Sequence, residues 1–125
     1  MSSKILVVDD EPAVDLLMRQ IFRKEIRRGN YELMFAKDGM TALEQLSGDT
    51  AIEVVITDIN MPGMDGLTLL RKVHHEYPLV KVVMVSAYSD SEKVETARLG
   101  GAFEFINKPV KVQDVKDTVQ KALAC

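Results

Sequence analysis

The sequence predicts a three-layer α/β domain, a five-stranded parallel sheet covered by helices on both faces. Apolar, β-branched runs recur at 4–9 (KILVVD), 31–36 (YELMFA), 53–58 (EVVITD), 80–86 (VKVVMVS) and 102–106 (AFEFI). Successive runs start 22 to 27 residues apart, which leaves room in each gap for a helix and two short turns, the rhythm of βα units. Residues 5–8 and 54–56 are continuously apolar rather than alternating, as expected of strands buried on both faces of a parallel sheet.

The first strand leads into a helix in which Val14, Leu17, Met18, Ile21 and Phe22 fall at i, i+3, i+4, i+7 and i+8. One of its faces is therefore apolar, and Pro12 suits its first turn. After the second strand a helix begins at Asp38 and ends near Gly48 with Ala42, Leu43 and Leu46 inward; after the third, another begins near Asp65 with Leu69, Leu70 and Val73 inward. The fourth helix opens with Ser89-Asp90-Ser91-Glu92, the pattern of a capping box, and stops at Gly100-Gly101. The fifth carries Val112, Val115, Val119, Ala122 and Leu123. Right-handed crossovers leave few arrangements for five such strands, and the flavodoxin-like order 2-1-3-4-5 is the commonest small one.

Length and composition narrow the function. The 125 residues are one domain's worth and long enough to bury a core without staples, so a single domain over 1–125 is expected. The one cysteine, Cys125, has no partner in the chain, which favours a reducing compartment, and MSSKILVVDD lacks the apolar region and cleavage site of a signal peptide. A cytoplasmic location is expected. With 46% hydrophobic and 28% charged residues the chain is too apolar for disorder and too interrupted by charge for a membrane span. A net charge of −3 disfavours direct nucleic acid binding.

In a sheet of this kind ligands bind beyond the carboxyl ends of the strands, where strand order reverses. The first strand ends in Asp9-Asp10, the third in Asp58 and the fourth in Ser86, and the fifth is followed by Lys108-Pro109. Converging carboxylates repel by on the order of several kcal/mol per pair at ~4 Å and an effective dielectric of about 20, so a cation is required. Oxygen-only ligands with access to water favour Mg2+. Asp9, Asp10 and Asp58 are its candidate ligands, with the Asn60 backbone carbonyl near enough in sequence to complete the set, and Lys108 neutralises the remainder. A carboxylate beside such cations can act as a nucleophile towards phosphorus, which makes Asp58 the candidate acceptor and Ser86 a hydrogen-bond donor to the arriving phosphoryl group.

Four motifs, LVVDDEP, VVITDINMPGMDG, VVMVSAY and FEFINKP, each at the end of a predicted strand and in this order, make the chain resemble response-regulator receiver domains over essentially its whole length. The resemblance implies a phosphorylatable switch of a two-component system. A histidine kinase or phosphotransfer protein would donate, and an output domain or effector protein would respond. Asp58 matches the acceptor, Asp9 and Asp10 the acidic pair, Asn60 the residue whose carbonyl helps hold the metal, and Lys108 the phosphate-contacting lysine. Ser86 and Phe105 match the switch pair, which alters the face formed by the fourth helix, fifth strand and fifth helix. Phe105 lacks the hydroxyl of the frequent tyrosine, and Ser86 the methyl of the common threonine. Asn60 and Tyr88 match the positions that tune aspartyl phosphate lifetime, and a bulky Tyr88 is expected to shield the phosphoryl group. The resemblance implies no enzyme on external substrates, only self-phosphorylation and autodephosphorylation. A phosphorylation-dependent homodimer is compatible with it, as is either a free-standing regulator or the receiver portion of a longer protein.

Taken singly, each residue has a plainer reading: Asp9-Asp10 and Asp58 as turn or capping residues, Lys108 as a solvated charge, Ser86 as a hydroxyl satisfied by backbone, Phe105 as core. His74 and His75 point about 100° apart on a helix and are expected at the surface. Met61 and Met64, flanking Pro62-Gly63, suggest a partly exposed apolar loop beside Asp58. Among other functions, a flavodoxin-type electron carrier is disfavoured because DDEPA would repel a flavin phosphate. An aspartyl phosphatase would need a second acid where Asn60 stands. A receiver-like binding module that never takes up phosphate is the remaining alternative.

Overall fold

A computed structural model describes residues 2–125. Its elements are β1 (Ser3–Val8), α1 (Pro12–Ile21), α2 (Arg23–Arg27), β2 (Tyr31–Ala36), α3 (Gly39–Gly48), β3 (Ile52–Asp58), α4 (Gly66–Glu76), β4 (Lys81–Ser86), α5 (Ser91–Leu99), β5 (Glu104–Asn107) and α6 (Val112–Ala124). All strand pairs are parallel and the order is β2-β1-β3-β4-β5, the expected doubly wound arrangement. The strand order reverses between β1 and β3, so their carboxyl ends open the crevice where sheets of this kind bind ligands.

The two faces of the sheet bury separate apolar cores because alternate residues of each strand point opposite ways. Ile5, Val7, Val54, Ile56, Val83, Val85 and Ile106 face α1, α2 and α6 and pack on Met18, Phe22, Val115 and Val119. Leu6, Val8, Val55 and Met84 face α3, α4 and α5 and pack on Ala42, Leu46, Leu69, Leu70, Val73 and Ala97. The central strands β1, β3 and β4 are thus apolar on both sides, which is why their sequences show no alternation.

Helix starts follow the expected caps at two places. Asp38 Oδ1 accepts from the Thr41 N–H at 2.8 Å, and Asp65 Oδ1 from the Thr68 N–H at 2.9 Å, each satisfying one otherwise unpaired donor. At three places the structure departs from expectation. The first helix breaks at Phe22 (φ −99°, ψ 18°), and α2 follows; the fully buried Phe22 ring meets Tyr31 edge-on at 5.5 Å. Val112, at the first position of α6, is 51% exposed, and the buried face of the helix starts at Val115. The Ser89–Glu92 capping box does not form: residues 88–90 make a 3-10 turn, and the Asp90 carboxylate reaches backwards instead of capping α5.

Candidate functional site

Backbone bonds that continue the ladder one residue past each strand aim the site. The Asp9 N–H donates to Ala36 O at 3.0 Å, the Ile59 N–H to Val85 O at 3.0 Å, and the Lys108 N–H to Ser86 O at 2.9 Å. Asp9, Asp58 and Lys108 therefore emerge together at the carboxyl edge of β1, β3 and β5, and the Lys108–Pro109 peptide bond is cis. They line one cleft of about 350 Å³, with Glu11, Met18 and Pro109 among its walls. A larger groove of about 490 Å³ lies at the opposite end of the sheet between Leu46, Tyr77, Leu79 and Leu123; it contains none of the strand-end carboxylates.

Lys108 Nζ lies 2.7 Å from Asp58 Oδ2, and Asp58 Oδ1 accepts from the Asn60 N–H at 3.0 Å. The Asp58 side chain is 12% exposed and the Lys108 side chain 42%, so the carboxylate is reachable from solvent but held. Asp9 Oδ1 accepts from the Glu11 N–H at 2.9 Å. Burial pushes the Asp9 carboxyl above the ordinary carboxylate range; the Glu11 N–H opposes this, while the charges of Asp58 and Asp10 reinforce it. Burial works to lower the Lys108 ammonium pKa, but the hydrogen bond and charge of Asp58, with the charges of Asp9 and Asp90, outweigh it and hold the pKa high. Lys108 therefore stays protonated, and its single positive charge faces several carboxylates.

Among the described residues no three of His, Cys, Asp or Glu form a ready metal cage, so the carboxylates converge more loosely than the sequence suggested. The reason lies in their other partners: Asp58 gives one oxygen to Lys108 and the other to the Asn60 N–H, Asp9 gives one to Glu11, and Asp10 is exposed. The donors nevertheless fit a hard divalent ion of the magnesium type, which takes one or two carboxylates and completes its shell with water and phosphate oxygens.

Ser86 is buried, with 1% exposure, at the end of β4, the strand beside Asp58. Phe105 is half-buried on β5, paired in register with Met84 and packed against the α3–α5 side of the sheet. Tyr88 is 102% exposed, so its ring stands in solvent and does not cover the carboxylates. The Met61–Met64 loop is partly exposed, with Pro62 and Gly63 in solvent and Met64 half-buried, but Met61 is buried in the core, where the Thr57 hydroxyl donates to its sulfur at 3.7 Å. His74 and His75 are both exposed. Sequence reasoning missed the tie between Asn60 and the head of α5. Asn60 Nδ2 donates to Asp90 Oδ1 at 2.9 Å, and Lys93 Nζ donates to Asn60 Oδ1. Its only local signal was a Ser-Asp-Ser-Glu string, which reads equally well as a cap.

Comparison with known proteins agrees with this geometry. The response regulator receiver domain family profile matches residues 5–120. The chain is 28% identical to sporulation initiation phosphotransferase F of Bacillus subtilis over 123 residues, covering 98% of this chain and 95% of that protein. It is 33% identical to the regulatory protein AtoC of Escherichia coli over 121 residues, covering 97% of this chain but 25% of that longer protein. Among solved structures, the receiver domain of NtrX from Brucella abortus superposes with a TM-score of 0.86 at 34% identity, covering 96% of this chain and 98% of that one. A response regulator receiver domain protein from Clostridium thermocellum gives a TM-score of 0.89 at 28% identity, covering 98% and 94%. By profile, sequence and fold alike, the chain belongs to the response regulator receiver domain family, whose members act as phosphoacceptor switches in two-component signalling.

Proposed function

We propose that Asp58 is the phosphoacceptor and that this chain catalyses its own phosphorylation from a phosphohistidine on a histidine kinase or phosphotransfer protein. An Asp58 carboxylate oxygen attacks phosphorus, the P–N bond breaks, and the imidazole leaves with the electron pair. The observation that carries the reading is the 2.7 Å contact from Lys108 Nζ to Asp58 Oδ2, made across 50 residues at the sheet's switch point. Lys108 draws charge off the transferring group, which is where such sites gain most of their rate. Ser86, one strand over, donates to a phosphoryl oxygen once it arrives. Mg2+ would be held by Asp9, Asp10, Asp58 and the Asn60 carbonyl, and would neutralise phosphoryl oxygens during transfer. Ser86 and Phe105 form the switch pair that passes the state to the α5–β5–α6 face, and thence to an output domain or effector in the cytoplasm. The reaction ends with slower hydrolysis of the aspartyl phosphate, without turnover of an external substrate.

Incubation with acetyl phosphate and magnesium followed by intact mass tests this. One phosphoryl addition is expected in the wild type, none in Asp58→Asn, and none after chelation. An unmodified wild type would leave the binding-module alternative standing, and addition that persists in Asp58→Asn would move the acceptor elsewhere.

A further inference from the structure

Asp90 is buried, at 8% exposure, just ahead of α5, yet its oxygens do not cap that helix. Oδ2 accepts from the Ala87 N–H at 2.8 Å and Oδ1 from Asn60 Nδ2 at 2.9 Å. The other end of the Asn60 carboxamide accepts from the Lys93 ammonium, in the first turn of α5. The Asn60 N–H in turn donates to Asp58 Oδ1. A continuous chain of hydrogen bonds thus joins the phosphoacceptor loop to the segment after β4 and to the head of α5. The bonds from Ala87 and Asn60 outweigh burial and hold the Asp90 carboxyl below its ordinary range, so the chain includes a full charge at neutral pH.

We propose that Asp90 and Lys93 are positioning residues that act through Asn60, gripping its carboxamide at both ends so that it cannot orient a water against phosphorylated Asp58. The same grip ties the head of α5 to the Asp58 loop. Hydrolysis requires water to attack phosphorus while the P–O bond to Asp58 breaks, releasing inorganic phosphate and the free carboxylate. A restrained carboxamide does not steer that water; a released one can. The inference rests on Asp58 being the acceptor.

Because Lys93 is exposed, Lys93→Ala removes one end of the grip without opening the core. The full chain is phosphorylated with acetyl phosphate and magnesium, desalted, and the loss of the phosphoryl mass is followed over time. Lys93→Ala is expected to shorten the lifetime by about fivefold in the wild-type background, and to change it by less than about twofold in Asn60→Ala, since residues acting through a shared partner are not additive. Asp90→Asn, which retains one acceptor oxygen, should fall between wild type and Lys93→Ala. Equal effects of Lys93→Ala in both backgrounds, or none in either, overturn the proposal. Amide exchange on the unmodified protein gives an independent reading: in Asn60→Ala and Lys93→Ala, protection at Ala87 and the first turn of α5 should drop while α6 is unchanged, and unchanged protection at α5 also overturns it. A wild type that gains no phosphoryl mass at the first step instead removes the acceptor assignment, and this inference with it.

Discussion

The Asp9 carboxyl is held above its ordinary range by burial first and by the charges of Asp58 and Asp10 after it. A carboxyl whose pKa rises on folding holds its proton more tightly when folded, so ionisation costs stability. That cost is absent below the unfolded value of about 3.9, grows as pH rises towards the folded value, and is complete above it. Asparagine at this position can still accept from the Glu11 N–H while removing the charge. Asp9→Asn should therefore raise Tm at pH 7 in the presence of a chelator, and the gain should vanish as the pH is taken below about 3.9. Magnesium should reverse the order: ligand at 100 times its Kd adds about 2.7 kcal/mol to the wild type, and the variant gains less. Melting curves with and without magnesium at the two pH values check both signs, and a wild-type Tm indifferent to magnesium would remove the metal reading. Lys108→Ala separates chemistry from stability at a second residue. The ion pair is partly exposed, so its loss should cost no more than about 1 kcal/mol, whereas phosphoryl uptake from acetyl phosphate should slow by at least about tenfold. A large loss of stability with unchanged uptake would assign Lys108 to the fold alone.

Helix α4 anchors the far end of the Asp58 loop through the Gly66 N–H, which donates to Ile59 O, and its first turn depends on two residues. Asp65 caps it, and the Thr68 bonds, ahead of the charges of Lys93 and Arg71, hold the Asp65 carboxyl low despite partial burial. A depressed carboxyl contributes stability that is present above about pH 3.9 and lost as pH falls through the folded value. Asp65→Ala should cost about 1 kcal/mol at pH 7, a Tm loss of about 4 °C, and the penalty should shrink in acid; a pH-independent loss would contradict the cap. Gly66 follows it at the first helical position. A Cβ there would lie 2.4 Å from Asp58 O and 2.8 Å from Ile59 Cα, both backbone atoms that cannot rotate away. Gly66→Ala, which would ordinarily favour a helix, should instead destabilise by about 1–3 kcal/mol and depress phosphoryl uptake by displacing Asp58, as melting and intact mass would show. The Asp38 and Asp65 caps and β2 were legible because each is encoded within a few neighbouring residues. The break at Phe22 was not, since the i, i+4 pattern runs on to Ile26 without a breaker. Asp90 was misread for a related reason: its partners are Ala87 and, 30 residues away, Asn60, and no local spacing distinguishes that use from a cap. The strand ends bearing Asp9, Asp58 and Lys108 could be read because a parallel sheet converts five separate chain positions into one edge. What the sequence could not supply was the partner each carboxylate oxygen takes, which decides how closely the carboxylates approach.

Anchoring is unevenly distributed among the helices, and under the proposed phosphorylation of Asp58 this decides which surface the added charge can move. Helix α4 buries Leu69, Leu70 and Val73, and α6 buries Val115, Val119 and Ala122, whereas Ala97 is the sole buried side chain of α5 and Leu99 is 81% exposed. At about 25 cal/mol per Å² of apolar area, α5, anchored by Ala97 with only a half-buried Val94 beside it, holds to the sheet less tightly than α4 with Leu69, Leu70 and Val73 or α6 with Val115, Val119 and Ala122. Moving a population from 1:99 to 99:1 requires about 5.5 kcal/mol of differential binding, so a phosphoryl group can accomplish it only where the element to be moved is weakly held. Helix α5 meets that condition and adjoins both Ser86, through residues 87–90, and the Asn60 tie. In the unmodified protein, amides of 91–99 should therefore exchange through local opening faster than those of α4 and α6, and with little dependence on denaturant, while α4 and α6 approach the global limit. On phosphorylation or with a beryllofluoride mimic, the largest change in exchange should fall on α5 and β5, leaving α1 and the Met18–Phe22 packing unaltered. If α5 proves as protected as α6 in both states, the signal cannot leave by this face, because displacing it would then need more free energy than one phosphoryl group with Lys108 and Ser86 can supply.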